Sequence, residues 1–419
     1  MLALHPHETP GFPRARSRRD VAGRGAPRAD SERSERRRTA GLDNTTKNVS
    51  RDERAKRRER ARLRSVLWRE SSLSRLQMCG RRRVKESKVG IYKSDRGAYF
   101  ANVQHCGSVH SCPVCAPKIR QRRAQEIDNA VRSHIAAGYS VAFQTLTLPH
   151  DFGDDLDSLL STVADAFRKV IGGRGYVDDK RDYAITGTIR SSETTFGKAG
   201  AHPHLHVLFF SDRQLSDREL RAFNARLFSR WSSAVQRAGY RAPLIGLCPL
   251  DRVTSSEVGM YVTKIVGVDV EDSPRSRGRR VGMEMTRHDL KTARRAGRTP
   301  FQVLRDFAES GDCDDLALWH KWERASRGTQ SLTWSRGLKA RYNVVEKTDE
   351  EIAAEQVGGA LVTELTPAQW NLINAEELHV DVLEIAEESG DDGLQLWLDI
   401  IGLRRSQRMN RLSAQSRAA

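Results

Sequence analysis

The chain has 419 residues, 38% of them hydrophobic and 30% charged, and a formal net charge of +17. This length allows two or three compact units, and the positive charge favours a polyanionic partner such as nucleic acid. Six cysteines are too few for a secreted disulfide scaffold. No apolar run approaches the ~20 residues of a membrane span, and the N-terminus lacks the hydrophobic stretch of a signal peptide. These features predict a cytoplasmic protein that does not bind membranes.

The charge is distributed unevenly along the chain. Residues 1–100 contain 28 Lys and Arg against 12 Asp and Glu, whereas residues 351–403 contain 12 acidic residues and no Lys or Arg. Residues 1–70 are predicted to be a disordered basic arm that contacts phosphates, or that only keeps the chain soluble. Within the arm, residues 51–69 have the composition of a charged helix that folds on a partner. The acidic tail either recruits host factors or folds back onto basic surfaces.

A hairpin is predicted next, from KVGIYK and AYFANVQ around the turn SDRG. It leads into Cys106, Cys112 and Cys115, followed by a basic helix at about 116–137. This cysteine spacing, with the tight turn C-P-V-C, is typical of a structural zinc site. Buried thiols without a metal are the alternative. Cys248 and Cys313 are isolated and are interpreted as core residues.

The middle of the chain has the clearest succession of elements. A capping box formed by Ser216 and Glu219 starts one of its helices. The order β-α-β-β-α-β-α predicts an α+β fold with a mainly antiparallel sheet and helices on one face. The elements are predicted at 140–148, 156–171, 182–195, the strand containing HPHLHVL, 216–239, 245–253 and 254–265.

Three histidines alternate along the strand HPHLHVL. Because side chains alternate between the faces of a strand, His202, His204 and His206 share one side. Two imidazoles at i and i+2 can share one metal ion, and Glu193 lies across the FGKAG turn on the strand expected to pair with them. Such a ligand set leaves coordination positions open for a substrate, as catalytic sites do. Solvated histidines and an ordinary exposed glutamate are the alternative.

The stretch TSSEVGMYVTK places Glu257, Tyr261 and Lys264 on one face of a predicted helix. A phenol with a pKa of about 10 is a poor nucleophile at neutral pH. A nearby metal ion and a lysine can compensate, and a phosphodiester is the natural electrophile for such a set. The alternative is that Glu257 caps the helix with Thr254 and that Tyr261 is a packed aromatic residue.

The segments FQTLTLP, HPHLHVLF and EVGMYVTK, in this order, resemble the three motifs of the HUH endonuclease superfamily. More narrowly, the chain resembles replication initiators (Rep) of rolling-circle plasmids of the kind found in actinobacteria. The resemblance includes CGSVHSCPVCAPKI and LTWSRGLKARY and covers roughly residues 75–345. It implies a ferredoxin-like split βαβ sheet with the histidine strand in the centre.

The resemblance also implies residue roles. His204 and His206 match the two signature metal ligands, and Glu193 stands where a third is often found, so that the site would hold Mg²⁺ or Mn²⁺. Tyr261 matches the nucleophile that cuts one DNA strand, keeps its 5′ phosphate and frees a 3′-hydroxyl. Glu257 matches a glutamate that activates water during termination. Lys264 matches the lysine beside the nucleophile, and His202 is left without a role.

The resemblance further suggests Cys79 as the fourth ligand of a structural Zn²⁺, with His105 and His110 as nearer alternatives. The implied partners are plasmid origin DNA, single-stranded at the nick site, and host proteins such as helicase and polymerase. The resulting domains are the arm at 1–70, a zinc-binding and DNA-binding module at 75–137, an endonuclease domain at 138–267, a basic connector at 268–300, a helical extension at 301–345 and an acidic helical tail at 346–419.

Two other functions fit parts of these observations. A rolling-circle transposase of the same superfamily shares the motif order and a cysteine-rich front, whereas a relaxase generally has its tyrosine before the histidines. A non-catalytic zinc-containing DNA-binding regulator belongs to a different class. The Glu257 and Tyr261 pair with the LTWSRGL segment favours the plasmid initiator.

Overall fold

The computed structural model describes residues 51–85, 87–254, 297–356 and 358–418, all within one compact unit, Val49–Ala419. None of the helices in these ranges is long and apolar enough to cross a membrane. A single 3-10 turn at Ile245–Leu247 is also described. The helices are α1 Arg51–Glu70, α2 Ser74–Gln77, α3 Cys115–Ala136, α4 Leu156–Val170, α5 Gly173–Asp182, α6 Asp217–Arg237, α7 Pro300–Ser310, α8 Cys313–Ala325, α9 Leu338–Arg341, α10 Asp349–Ala354, α11 Pro367–Ala375 and α12 His379–Ala418, which bends at Gly390. The strands are β1 Val89–Ser94, β2 Gly97–Ala101, β3 Ser140–Thr147, β4 Ile185–Gly197, β5 Gly200–Ser211, β6 Leu250–Arg252, β7 Leu332–Trp334 and β8 Ala360–Leu365.

The larger sheet has five strands in the order β6-β3-β5-β4-β7. All of its pairs are antiparallel. The four strands β3, β4, β5 and β6, with α4 after β3 and α6 after β5, form a βαββαβ unit; numbered in chain order within the unit, they are arranged 4-1-3-2 in the sheet. This is the split βαβ arrangement. The predicted α+β fold with a central histidine strand, β5, is therefore confirmed.

One face of this sheet packs against α4 and α6. The α4 residues Leu159, Val163 and Phe167 recur at helical spacing and are buried against Leu205 and Phe209 of β5. The capping box predicted for α6 is present, because Ser216 accepts from the Glu219 amide and the Glu219 side chain accepts from the Ser216 amide. These two helices cover one face, as the element order predicts.

The opposite face of the sheet is covered in addition by α3. Ile127 and Val131 of this helix are buried with Leu208 and Phe210 of β5. Towards the start of β5, the next side chain on this face is His206. Along this face of β5 the side chains therefore change from buried apolar residues to histidines, so the imidazoles lie at the edge of the hydrophobic core.

The smaller sheet joins the two ends of the described chain. Its order is β2-β1-β8, so that the acidic segment supplies a strand to the predicted hairpin. Val89 and Ile91 are buried with Leu365, Ile373 and Val382 in one apolar cluster. The segment predicted as a separate tail at 346–419 is therefore part of the fold, and folding back is the alternative that the structure supports.

Helix α1, Arg51–Glu70, is the charged helix predicted at 51–69, but it packs on the rest of this chain, so this part of the predicted arm at 1–70 is not disordered. Leu63 and Leu67 are 2% and 1% exposed, and burying a leucine contributes about 1.5–3 kcal/mol. The helix also forms ion pairs with the C-terminal segment, and the side chains of Glu384 and Glu387 in these pairs are 8% and 4% exposed. The remainder of the predicted arm, residues 1–50, lies outside the described residues. The charge pairs between the basic and acidic segments include Arg54–Glu388, Arg57–Glu387, Arg58–Glu384, Arg69–Glu377 and Lys88–Glu364.

The integration of the C-terminal segment predicts a large effect of Ile373→Ala. Ile373 is fully buried in the cluster of the smaller sheet, so the truncation should lower the free energy of unfolding by about 2–5 kcal/mol. Urea denaturation of the full chain measures this. Ile400→Ala, at a residue 39% exposed in α12, is the matched control and should have little effect. Equal, small effects of both changes would show that the segment does not fold cooperatively with the rest.

Candidate functional site

The strand register brings Glu193 and two histidines together. Glu193 of β4 lies directly opposite His204 of β5, and His206 lies one pleat further along the same face. The Glu193 Oε2 atom is 2.9 Å from His204 Nε2 and 3.0 Å from His206 Nε2. Glu193 is only 4% exposed, and an ionised carboxylate at that depth requires compensating partners. The ligand atoms of the three residues all lie within 4.8 Å of one another, and we call them the histidine–glutamate triad.

The triad fits a divalent cation. Metal–ligand bonds of about 2.1 Å in an octahedron separate adjacent ligands by about 3 Å, and both Nε2–Oε2 distances have this length. Imidazole and carboxylate ligands suit Mn²⁺ and later metals, and carboxylate suits Mg²⁺. Three ligands on one side leave further positions for water and substrate oxygens. The triad therefore has the open geometry of a catalytic metal site.

The orientation of His206 is set by β3. Thr145 lies opposite His206 in the register, and its Oγ1 atom is 3.3 Å from His206 Nδ1. The Phe143 ring stacks on the imidazole at 5.3 Å between centroids. A hydrogen bond from Nδ1–H to the threonine hydroxyl makes Nε2 the nitrogen that can ligate a metal. Thr145 lies in the motif segment FQTLTLP, but no role was predicted for it from the sequence, so this positioning role was missed.

His202 has a partner that the sequence did not indicate. Its Nδ1 atom is 2.9 Å from Nε2 of His150, which follows β3. Burial, and then the neighbouring His204 and His150, lower the pKa of His202 to about 4. His202 is thus neutral at physiological pH, and it shares a hydrogen bond with the His150 ring. No feature of the sequence singled out His150.

Thr145→Val should weaken metal binding without changing the strand. Valine keeps the β-branched shape and removes only the hydroxyl, and loss of such a second partner costs about 10–100-fold in metal affinity. Because the contact is 3.3 Å long, we expect about tenfold. Isothermal titration with Mn²⁺ measures the change in Kd. Thr147→Val is the matched control, because the Thr147 hydroxyl contacts Cys248 Sγ instead; equal affinities of wild type and Thr145→Val would exclude the positioning role.

Tyr261, Glu257 and Lys264 lie outside the described residues, as does most of the predicted helix 254–265 and of the connector 268–300. The described chain stops at Thr254, just after β6, and resumes at Gly297. Strand β6 pairs with β3, which pairs in turn with the histidine strand. The relation of the tyrosine to the histidine–glutamate triad therefore remains a proposal.

Four cysteines form a second cluster, at the start of α3 and in the loops that precede it. Cys79, Cys106, Cys112 and Cys115 are 4% exposed or less. The Sγ atom of Cys79 is 3.7 Å from those of Cys112 and Cys115, and Cys106 Sγ is 3.7 Å from Cys115 Sγ. A disulfide requires about 2.05 Å, so these sulfurs are not bonded to each other.

The cluster fits a zinc ion closely. A tetrahedral Zn²⁺ with Zn–S bonds of about 2.3 Å separates its sulfurs by about 3.8 Å. The amides of Ser108 and Cys115 donate to Cys106 Sγ and Cys112 Sγ, as expected around thiolates. Hydrogen bonds from the neighbouring thiols, first that of Cys106, lower the pKa of Cys79. Burial raises the pKa of the Cys112 thiol, so a cation is needed to hold all four as thiolates.

The geometry places Cys79, and not a histidine, as the fourth member of the cluster. His110 is instead 3.2 Å from both the carbonyl and the hydroxyl oxygen of Thr329. Of the two isolated cysteines, Cys248 is buried as predicted, but Cys313 is exposed at the start of α8, so its assignment to the core is wrong. It follows Asp312, whose side chain caps the helix, and helix N-termini are usually at the surface.

Comparisons with known proteins support the predicted resemblance. Residues 98–233 match a family model described as replication protein. A protein named Protein rep from Streptomyces lividans is 26% identical over an alignment that covers 70% of this chain and 76% of the relative. A protein named Neomycin resistance protein from Streptomyces cyanogenus is 32% identical, over 25% of this chain and 29% of its own length. No solved structure matches. The resemblance to replication proteins of actinobacterial type is confirmed.

Proposed function

We propose that this chain, a replication protein of actinobacterial type by its matching domain, initiates rolling-circle replication of a plasmid by nicking one strand of the origin. The observation that carries the proposal is the histidine–glutamate triad on the central strand of a split βαβ sheet. Such a sheet holds both imidazoles rigidly, since β5 is hydrogen-bonded on both sides. Pre-organised ligands at the edge of a buried core are what phosphodiester cleavage requires.

The chemistry assigned to the chain's own residues is a transesterification. The Tyr261 oxygen attacks the scissile phosphorus, loses its proton and forms a 5′-phosphotyrosine ester, while the bond to the 3′ oxygen breaks and that oxygen takes up a proton. A divalent cation, when bound, neutralises charge on the phosphate and makes it a better electrophile. Lys264 would add positive charge beside the nucleophile. The freed 3′-hydroxyl is the primer.

Termination is assigned to Glu257. After one round the chain must release the strand, and a glutamate four residues before the tyrosine can activate a water molecule for hydrolysis of an ester. This accounts for a site with a single nucleophile. The stored ester bond also allows rejoining, because its energy is close to that of the phosphodiester it replaces.

Origin binding is assigned to the basic front of the chain and the cysteine cluster. Arg82 and Arg83 are exposed next to Cys79 and are free to contact phosphates. Arg120 is not part of such a surface, since it is 3% exposed and donates to the Val109 carbonyl. Host helicase and polymerase would act on the strand once it is opened.

The experiment is strand-specific nicking of a supercoiled plasmid that carries the cognate origin, in Mn²⁺ or Mg²⁺. We expect relaxed circles with one break at one site in one strand, and a 3′-hydroxyl that a polymerase extends directly. EDTA should prevent the break. Absence of cleavage, or a 3′ end that the polymerase cannot extend, would contradict the proposal. A transposase would instead act on the ends of its own element.

A further inference from the structure

A cavity that no residue of the histidine–glutamate triad lines is found where the two ends of the described chain meet. Its volume is about 410 Å³, and it is bounded by α1, the β1–β2 hairpin, the start of α3 and residues of α10 and α12. Arg57, Arg60 and Arg64 line it from one face of α1, because they stand at i, i+3 and i+7. Leu63 and Leu67 are buried on the adjacent part of the same helix. The helix is thus held by its apolar side chains and presents arginines to the cavity.

The lining of this cavity is cationic. Arg96 and Lys118 join the three arginines, against Glu53 and Glu355. Lys118 donates to the carbonyls of Ala353 and Glu355, and burial lowers its pKa.

Part of this positive charge is not neutralised by carboxylates. Within the described ranges, neither Arg60 nor Arg96 forms an ion pair. The Arg64 Nε atom is buried without a hydrogen-bond partner there. Arginine is the side chain that best recognises phosphate, through two parallel N–H donors. A cationic cavity with spare donors therefore selects an anionic ligand.

The cavity also has aromatic surface. Tyr99 and Phe100 of β2 line it. Consecutive side chains of a strand point to opposite faces: the Tyr99 ring stacks on Tyr92, and the Phe100 ring is braced edge-on against Trp370, with 5.3 Å between ring centroids. Aromatic rings stack with nucleobases, and each stacked base contributes about 1–3 kcal/mol. The volume lies within the ordinary range of small-molecule sites, about 300–1,000 Å³. Guanidinium groups and aromatic rings in one cavity of this size match a phosphate joined to a planar base.

We propose that this cavity binds a nucleotide, its phosphate against Arg60 and Arg96 and its base against Phe100 of β2. The nucleotide is either free or one unit of a DNA strand. Because α1 and the β1–β2 hairpin contribute one side and α10 and α12 the other, an occupant stabilises the contact between the two ends of the chain. The site shares no residue with the histidine–glutamate triad, and nucleotide binding there does not require cleavage of DNA.

Isothermal titration of the full chain without divalent cations tests this with three ligands: ADP, orthophosphate and a short single-stranded oligonucleotide. The variant Arg60→Ala with Arg96→Ala removes two charge-assisted contacts and should weaken nucleotide binding at least about tenfold. Arg218→Ala with Arg221→Ala, at exposed positions of α6, is the matched control and should bind as wild type does. Thermal unfolding of each variant shows that the fold is retained.

Weaker binding of both ADP and the oligonucleotide supports a site for free nucleotides. Weaker binding of the oligonucleotide alone supports a site for one unit of DNA. Unchanged binding of both ligands by the Arg60 and Arg96 variant overturns the proposal. Orthophosphate bound as tightly as ADP also overturns it, because the base would then contribute nothing. These outcomes are measured by binding alone, so they do not depend on whether the chain nicks DNA.

Discussion

Glu193→Gln should lower the rate of single-strand cleavage about 10²–10³-fold, because a metal ion contributes several kcal/mol to the transition state. Glutamine has nearly the same shape, so the packing of a residue that is 4% exposed is retained. It removes the negative charge that lies 2.9 and 3.0 Å from the two imidazoles. A neutral amide is a poor ligand for a divalent cation, and the site would lose its only acidic member.

Two measurements together establish this result. Cleavage of a single-stranded origin oligonucleotide over a range of Mn²⁺ concentrations gives the rate, and electron paramagnetic resonance of free Mn²⁺ gives the affinity. Both should change for Glu193→Gln. Glu346→Gln, at a side chain that is 79% exposed, should leave both unchanged. Cleavage by Glu193→Gln at the wild-type rate would show that the Glu193 carboxylate does not contribute to cleavage.

Replacing Cys112 and Cys115 together by serine should remove bound zinc and strongly destabilise the chain. Both thiols are almost fully buried, and serine hydroxyls do not replace thiolate ligands. Ile119 of α3 and Ile352 of α10 pack in the same cluster as the cysteines, so losing the metal exposes an apolar contact between distant segments. Since structural zinc supplies folding free energy directly, we expect the Tm to fall by more than about 5 °C.

Elemental analysis and thermal unfolding of the purified protein measure this effect. Wild type should contain one equivalent of zinc, and the double variant none. Cys313→Ser is the matched control, because Cys313 is exposed and lies outside the cluster. Unchanged zinc content in the double variant, or equal Tm values for both variants, would show that the four thiols do not hold a metal.

The features that the sequence predicted depend on local patterns. Alternation along HPHLHVL defined a strand with its histidines on one face, and the turn after Glu193 implied the hairpin that pairs it with His204. The serine and glutamate three residues apart correctly marked the start of α6. In each case the determining contacts lie within a few residues or across one turn.

The features that the sequence did not predict depend on distant contacts. Strand β8 pairs with β1 although more than 250 residues separate them in the chain, and its residues are mostly exposed or half-buried, so it has no strong alternation. Residues 51–69 have the composition of a charged helix, but the burial of its apolar side chains Leu63, Leu67 and Trp68 was not predicted. Its ion pairs with the C-terminal segment were not predicted either. The pairing of His150 with His202 likewise arises from the sheet bringing separate segments together.

We propose that Tyr261 attacks DNA at a metal site built from Glu193, His204 and His206. The most direct test incubates the full chain with a single-stranded origin oligonucleotide and Mn²⁺, and then denatures it and digests it with trypsin. We expect a covalent adduct on the peptide VTSSEVGMYVTK, which contains Tyr261. Tyr261→Phe should form no adduct, and Tyr240→Phe should form as much as wild type. An adduct with Tyr261→Phe equal to that of wild type, or attachment to another peptide, would contradict the account.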